Sequence, residues 1–158
     1  MADAWMPKEK WDALVRGEGC PLCAELTRED ESEYGYNVAD LQISRLRLEK
    51  NQYVKGYCVL ICHKHVPEPY ELSREERGKF FEDICQAGQA LEKVFGADKM
   101  NFQILGNSVP HLHGHLMPRY LNDPAPHRPI DPYAGEVILK PGEYRGLIEE
   151  IRRALGGV

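Results

Sequence analysis

Apolar positions recur along this chain with two different periods, and the switch between them lays out the elements. A period near 3.6 marks three helices. Residues 8–16 carry Trp11, Leu14 and Val15 on one face, and Gly17, Gly19 and the Cys20-Pro21 pair break the run. Ser73-Arg74-Glu75-Glu76 is a capping-box signature. The helix it opens places Phe80, Phe81, Ile84, Leu91, Val94 and Phe95 at helical spacing, and Gly96 suits its C′ position. Tyr144, Leu147, Ile148, Ile151 and Leu155 predict a last helix, stopped by Gly156-Gly157. A period of two marks strands. Residues 37–43 and 44–51 alternate, with Leu46 and Leu48 on one face, and residues 57–62 run apolar throughout, the mark of a central strand buried on both faces. Residues 27–32 read as a polar, acidic loop. Residues 121–133, with four prolines and two aspartates, read as an extended, mobile loop. No internal repeat is visible. The expected fold class is α+β: an antiparallel sheet with the main helix packed on one face, in a single domain over residues 1–158. Its core lies at about 20–120, with a C-terminal loop and helix at 121–158.

One further alternating stretch carries the chemistry. Met100, Phe102 and Ile104 alternate with Asn101 and Gln103, which reads as a strand. After a turn at Gly106-Asn107-Ser108 comes His111-Leu112-His113-Gly114-His115-Leu116. On an extended backbone the three histidines share one face, while Leu112, Gly114 and Leu116 suit a buried opposite face. Three readings of that row compete. A plain half-exposed strand is poorly served by it, because adjacent imidazoles repel once protonated. A metal site would use neutral imidazoles as ligands, but no carboxylate lies between Asp98 and Asp123 to complete it. Nucleophilic catalysis at phosphorus needs one imidazole in a defined tautomer with polar neighbours to bind oxygens, which the row and its turn can supply.

Composition narrows the classes. The 158 residues can bury a core without staples, and the formal net charge of −5 with no long basic run disfavours a nucleic-acid surface. No segment approaches the ~20 apolar residues of a membrane span, and residues 1–11 do not resemble a signal peptide. Five cysteines are an odd number, and Cys58, Cys62 and Cys85 sit in apolar runs. That fits reduced thiols in a cytoplasmic protein better than a disulfide framework. Cys20-Pro21-Leu22-Cys23 has chelating spacing. It reads as half of a structural zinc site, a redox pair or two buried thiols. No thioredoxin-like βαβ pattern surrounds it, and zinc needs about four ligands.

These residues resemble a known family. Val109-Pro110-His111-Leu112-His113-Gly114-His115-Leu116-Met117-Pro118-Arg119 resembles the signature of the histidine triad superfamily of nucleotide hydrolases and transferases, in which three alternate histidines precede two apolar residues and often Pro-Arg. Residues 56–66, from Gly56-Tyr57 through His63-Lys64-His65-Val66, resemble that family's middle strand. Glu49 stands sixteen residues before His65, where the family commonly has an acidic residue contacting the ribose. Cys20 and Cys23 resemble the opening of many bacterial members. The likeness covers about residues 20–120.

The resemblance implies a homodimer acting on a purine nucleotide. His113 would attack the α-phosphorus through Nε2, with Nδ1 hydrogen-bonded to a carbonyl of its own strand, and water would then hydrolyse the nucleotidyl-histidine. His115 would stabilise the leaving group. Asn107 and Ser108 would bind phosphate or leaving-group oxygens, and no catalytic metal is required. The substrate would be a dinucleoside polyphosphate or a nucleoside phosphoramidate, with water or inorganic phosphate as the second acceptor. Zinc-containing relatives imply a structural zinc on Cys20, Cys23, His65 and His111, with His63 as the competing third ligand. The third histidine separates the chain from the galactose-1-phosphate uridylyltransferase branch, which has glutamine there.

The chain also departs from the pattern. Asn107 stands where relatives often have glutamine, Tyr57 where many have histidine, Glu49 where most have aspartate, and Gly114 where a bulky apolar residue is usual. Among the remaining residues, His127 and Arg128 read as surface groups or a lid, and Arg119 as a surface cation or a phosphate contact. Trp5 and Trp11 read as packing residues, over the chain or a dimer partner. The alternative function is a zinc-stabilised nucleotide-binding protein with little turnover.

Overall fold

The structure, a computed structural model, describes residues 5–156; Gly157, expected to help stop the last helix, lies outside the described residues. The elements in chain order are α1 (Lys8–Val15), α2 (Pro21–Leu26), β1 (Gly35–Asp40), β2 (Ser44–Glu49) and β3 (Cys58–Cys62). A 3₁₀ turn (Pro69–Glu71) then leads to α3 (Arg74–Phe95), β4 (Lys99–Gln103), β5 (His113–Arg119) and α4 (Pro141–Ala154). The five strands form one antiparallel sheet in the order β1-β2-β3-β5-β4. The fold is therefore the expected α+β arrangement, with β3 at its centre and all five of its residues buried.

The sheet separates two apolar clusters. On one face α3 and α4 cover Leu46, Leu48, Cys58, Leu60, Leu112 and Leu116, and this is the main core. On the other face Val59, Ile61 and Met117 meet Cys20 and Leu22 around α2, and Ile130 from the proline-rich loop. The alternation along β2, β3 and β5 thus sorts one set of side chains to the helices and the other to the site. At the start of α3 the Ser73 hydroxyl accepts from the Glu76 backbone N–H, and Glu76 reciprocates; Gly96, at φ 63°, closes the end in the left-handed region. Buried Asp83, midway along α3, accepts from the Gln42 and Ile43 backbone N–H groups (3.1 and 3.0 Å) and the Ser44 hydroxyl (2.6 Å). It holds the β1–β2 turn to the helix with its acceptors satisfied.

Several expectations change. The Cys20-Pro21 pair starts a helix rather than only breaking one: Cys20 is the N-cap of α2, its sulfur accepting from the Cys23 N–H, and Pro21 takes the first helical position. On α3, Phe81 is 64% exposed and Cys85 is exposed, because 100° per residue carries them off the stripe of Phe80, Ile84 and Leu91. On edge strand β4, Phe102 is exposed, and Ile104 falls beyond the strand end. The three-residue turn expected before the histidines is a connection over 104–112, and His111 lies outside β5. The reason is local: the Leu112 N–H donates to Val66 O, and the Cys62 N–H donates to Leu112 O. These bonds anchor the chain beyond β3 before the β5 ladder with β4 begins. No described helix is long and apolar enough to cross a membrane.

Candidate active site and Cys2His2 cluster

The three histidines divide between two sites. His113 and His115 stand on β5, registered against Ile61 and Val59 of β3, with ring centroids 5.0 Å apart. They line a cavity of about 430 Å³ on the face away from α3. Leu22, Arg47, Tyr57 and Val59 form its inner wall, residues 105–109 and Tyr34 and Tyr133 its rim. Asn107 and Ser108 are exposed on that rim. The size and the mostly apolar wall with a few polar groups suit a small-molecule ligand.

His113 is held in one tautomer. Its Nδ1–H donates to the backbone oxygen of His111 at 2.5 Å, which leaves Nε2 as the ring nitrogen with a free lone pair. Burial lowers its pKa, against the pull of that carbonyl, and Arg47 lowers it further. A neutral imidazole with an available Nε2 is the nucleophilic form. Burial, with His113 and Arg47 nearby, pushes His115 down to about 4. Its Nδ1 lies 2.7 Å from the hydroxyl of Tyr57.

His111 turns to a second cluster. Cys20, Cys23, His65 and His111 place one ligand atom each within 4.8 Å of one another. The His65 and His111 Nδ1 atoms are 3.1 Å apart, Cys23 Sγ is 3.3 Å from His65 Nδ1, and both sulfurs are 3.4 Å from His111 Nδ1. Zn–N and Zn–S bonds of ordinary length put tetrahedral ligands roughly 3.3–3.8 Å apart, close to these separations. The tautomers fit as well. His111 donates through Nε2–H to Cys62 O (2.7 Å), and His65 through Nε2–H to Val15 O (3.0 Å). Both Nδ1 lone pairs therefore converge on the same point as the sulfurs, an arrangement that a cation relieves. Burial and Cys20 push the Cys23 thiol up to about 11, and a bound cation reverses that by stabilising thiolates. His63 is not part of this set: it is exposed and bonds Asp40 at 2.9 Å.

Glu49, the expected ribose ligand, is buried one layer behind the cavity wall. Arg47 stands between, donating through Nε to Glu49 (2.6 Å) and through Nη1 to Glu25, with Tyr34 stacked over its guanidinium. Sequence reasoning missed Arg47 and Glu25. Two carboxylates on one arginine were not legible, because Glu25 arrives from α2, an element the periodicity did not predict. Burial pushes Glu49 up to about 7, against Arg47 and reinforced by Glu25. A carboxyl raised in the folded state keeps its proton to higher pH there than in the unfolded chain, so its contribution falls as pH climbs from the ordinary range near ~4.3 through about 7. The buried histidines have the opposite sign, their depressed pKa values making stability fall as pH drops; subtracting wild type from a variant cancels them. Glu49→Gln should therefore gain stability relative to wild type between pH of about 5 and about 8, measured by urea unfolding at both. A difference independent of pH would contradict the raised carboxyl.

Arg119 is neither free nor a cavity residue. It makes a bidentate pair with Asp123 (2.6 and 2.9 Å) and donates to Asn101 Oδ1 (2.7 Å), Arg128 O (2.9 Å) and Ala125 O. It ties the proline-rich loop to β5, so the loop expected to be mobile is anchored, and Tyr133 at its end reaches the cavity. His127 and Arg128 lie with Arg119 around a separate groove, away from the histidines. Trp5 and Trp11 pack edge to face, 5.5 Å apart.

Fold and site together define an α+β protein with a tautomer-locked histidine in a ligand-sized cavity, buttressed by a Cys2His2 cluster. The HIT domain profile matches residues 36–122, more than half of the chain, and the chain belongs to the HIT family. The asymmetrical bis(5'-nucleosyl)-tetraphosphatase of Schizosaccharomyces pombe is 33% identical over 69 residues, 40% of this chain and 38% of that protein. Protein hit of Bacillus subtilis is 30% identical over 78 residues, 46% of this chain and 54% of that protein. The match thus spans about half or less of these relatives' lengths. Among solved structures, a histidine triad protein from Bradyrhizobium japonicum superposes with a TM-score of 0.70 at 25% identity, covering 78% of this chain and 92% of that one. A zinc-bound histidine triad family protein from Mycobacterium smegmatis shares the fold, with a TM-score of 0.63 at 17% identity over 87% of this chain and 93% of that one.

Proposed function

We propose that the protein is a nucleotide hydrolase or nucleotidyltransferase that works through a covalent nucleotidyl-histidine. The observation that carries this reading is the Nδ1–H bond from His113 to the His111 carbonyl, which presents Nε2 as a nucleophile beside a second neutral imidazole. Nε2 of His113 bonds to the α-phosphorus as the bond to the leaving group breaks. The oxygen of water, or of inorganic phosphate, then displaces the imidazole and releases the nucleotide. His115 faces the leaving group, and Asn107 and Ser108 bind phosphate oxygens. Glu49 is the acceptor proposed for the ribose, which requires Arg47, the group that lines the cavity there, to swing aside on binding. The tetraphosphatase relative favours dinucleoside polyphosphates, and the substrate class proposed is these or nucleoside phosphoramidates. Zinc is the proposed occupant of the Cys2His2 cluster, in keeping with the zinc-bound neighbour and with the softness of its ligands. A homodimer belongs to the same proposal, with edge strand β4 and its exposed Phe102 open to pairing.

The test is a turnover screen of diadenosine polyphosphates and adenosine phosphoramidates, with and without inorganic phosphate, coupled to a search for an acid-labile adduct on His113. Release of a nucleoside monophosphate, or of a diphosphate when phosphate is the acceptor, supports the reading. Tight nucleotide binding with no turnover of any of them supports the nucleotide-binding protein instead.

A further inference from the structure

His113 and His115 are adjacent imidazoles on one strand face, yet their Nδ1 atoms meet opposite partners. That of His113 meets a carbonyl oxygen, which can only accept. That of His115 meets a phenol, which can donate. We propose that Tyr57 is a positioning residue that sets the tautomer of His115: its hydroxyl donates to Nδ1, leaving the proton on Nε2 as a hydrogen-bond donor into the cavity. This deepens the hydrolase reading and rests on it for the catalytic consequence, though not for the tautomer itself.

Tyr57 is built for this role. It is 1% exposed, immediately before central strand β3, with its ring stacked at 25° to that of His115, centroids 6.0 Å apart. Burial, the charge of Glu49 and nearby Tyr133 all raise its pKa, so the phenol keeps its proton. His115 is neutral and therefore carries one ring proton. Donation from tyrosine to Nδ1 puts that proton on Nε2. The reverse arrangement, Nδ1–H donating to the phenol oxygen, would turn the phenol proton toward Tyr133, the other hydroxyl near it, and leave Nε2 an acceptor. Only the first arrangement suits the site. As the His113 Nε2–phosphorus bond forms and the phosphorus–oxygen bond breaks, the electron pair leaves on the departing oxygen. A donor at Nε2 of His115 stabilises that oxygen and keeps its own proton; an acceptor there would repel it. The His111 carbonyl thus makes one imidazole a nucleophile and Tyr57 makes its neighbour a donor, without charging either.

The experiment is ¹⁵N NMR of the histidine side chains in the intact, metal-replete protein, followed by Tyr57→Phe. Wild-type protein should show His115 protonated at Nε2 and His113 at Nδ1. Tyr57→Phe conserves ring volume, and should shift His115 toward a tautomer mixture while His113 is unmoved. With adenylate aryl esters that differ only in the basicity of the leaving oxygen, the variant should lose about tenfold in kcat for the p-methoxyphenyl ester, the worth of one ordinary hydrogen bond. It should lose much less for the p-nitrophenyl ester, with KM unchanged for both. A wild-type His115 protonated at Nδ1 overturns the proposal, as does an equal loss on both esters. Should no substrate turn over, the catalytic reading falls, but the wild-type spectrum still decides the tautomer.

Discussion

Replacing His113 with asparagine is expected to lower turnover by several orders of magnitude while nucleotide affinity stays within a few-fold of wild type. Asparagine still offers an N–H to the His111 carbonyl, so the strand and cavity wall keep their geometry, and what disappears is the Nε2 lone pair. If His113 only assisted proton transfer, its loss would cost roughly 10²–10⁴-fold. Losing the covalent step should exceed that, because direct attack by water must then proceed in a cavity shaped for an imidazole. Steady-state kinetics on a dinucleoside polyphosphate, with nucleotide affinity measured by calorimetry, separate the two quantities. Activity within tenfold of wild type overturns the nucleophile assignment.

The periodicity made the scaffold legible where burial is one-sided or complete. Residues 57–62 had to be central because the run carries no charged or amide side chain, and 58–62 are the middle strand. The capping box at Ser73 and the glycine at 96 bounded α3 to within a residue, because both ends are set by local hydrogen bonds. Legibility failed where tertiary contacts override local pattern. On alternation alone His111, His113 and His115 form one row, and only the family likeness set His111 apart with the cysteines. The side-chain direction was right, since Leu112 and Leu116 pack under α3. Yet Leu112 bonds across to Val66 and Cys62, which takes His111 off β5 and hands its imidazole to the cysteines. Alternation predicts direction, not which neighbours converge there.

The polar wall was harder still. The alternation put Leu46 and Leu48 on one face and gave Arg47 and Glu49 no partner on the other, with Glu49 singled out only by the family likeness. Their burial depends on Glu25, twenty-two residues upstream of Arg47, arriving on a six-residue helix. A helix that short carries no periodicity to detect. Its signal was the proline after Cys20, which marks a first helical turn as readily as a break.

Removing the Cys2His2 cluster is expected to destabilise the protein far more than it slows chemistry in the molecules that remain folded. The cluster joins three distant parts: Cys20 and Cys23 at the start of α2, His65 after β3 and His111 before β5. His65 also reaches back to Val15 O at the end of α1, so a bound ion fastens the N-terminal helices to the sheet. Free zinc at a thousandfold over its dissociation constant, bound only by the folded state, contributes about 4 kcal/mol. In a domain of this size each kcal/mol moves Tm by about 2–4 °C, so Cys20→Ser with Cys23→Ser should lower Tm by on the order of 10 °C. Chemistry per folded molecule should fall less than in His113→Asn, since a metal held there would act on His113 only through the His111 carbonyl that orders its tautomer. Metal analysis of protein prepared without chelators should find about one zinc per chain, lost in the double variant. Undiminished zinc in that variant, or none in wild type, overturns the site. It leaves the nucleophile untouched, because the Nε2 lone pair of His113 faces the cavity and not the cysteines.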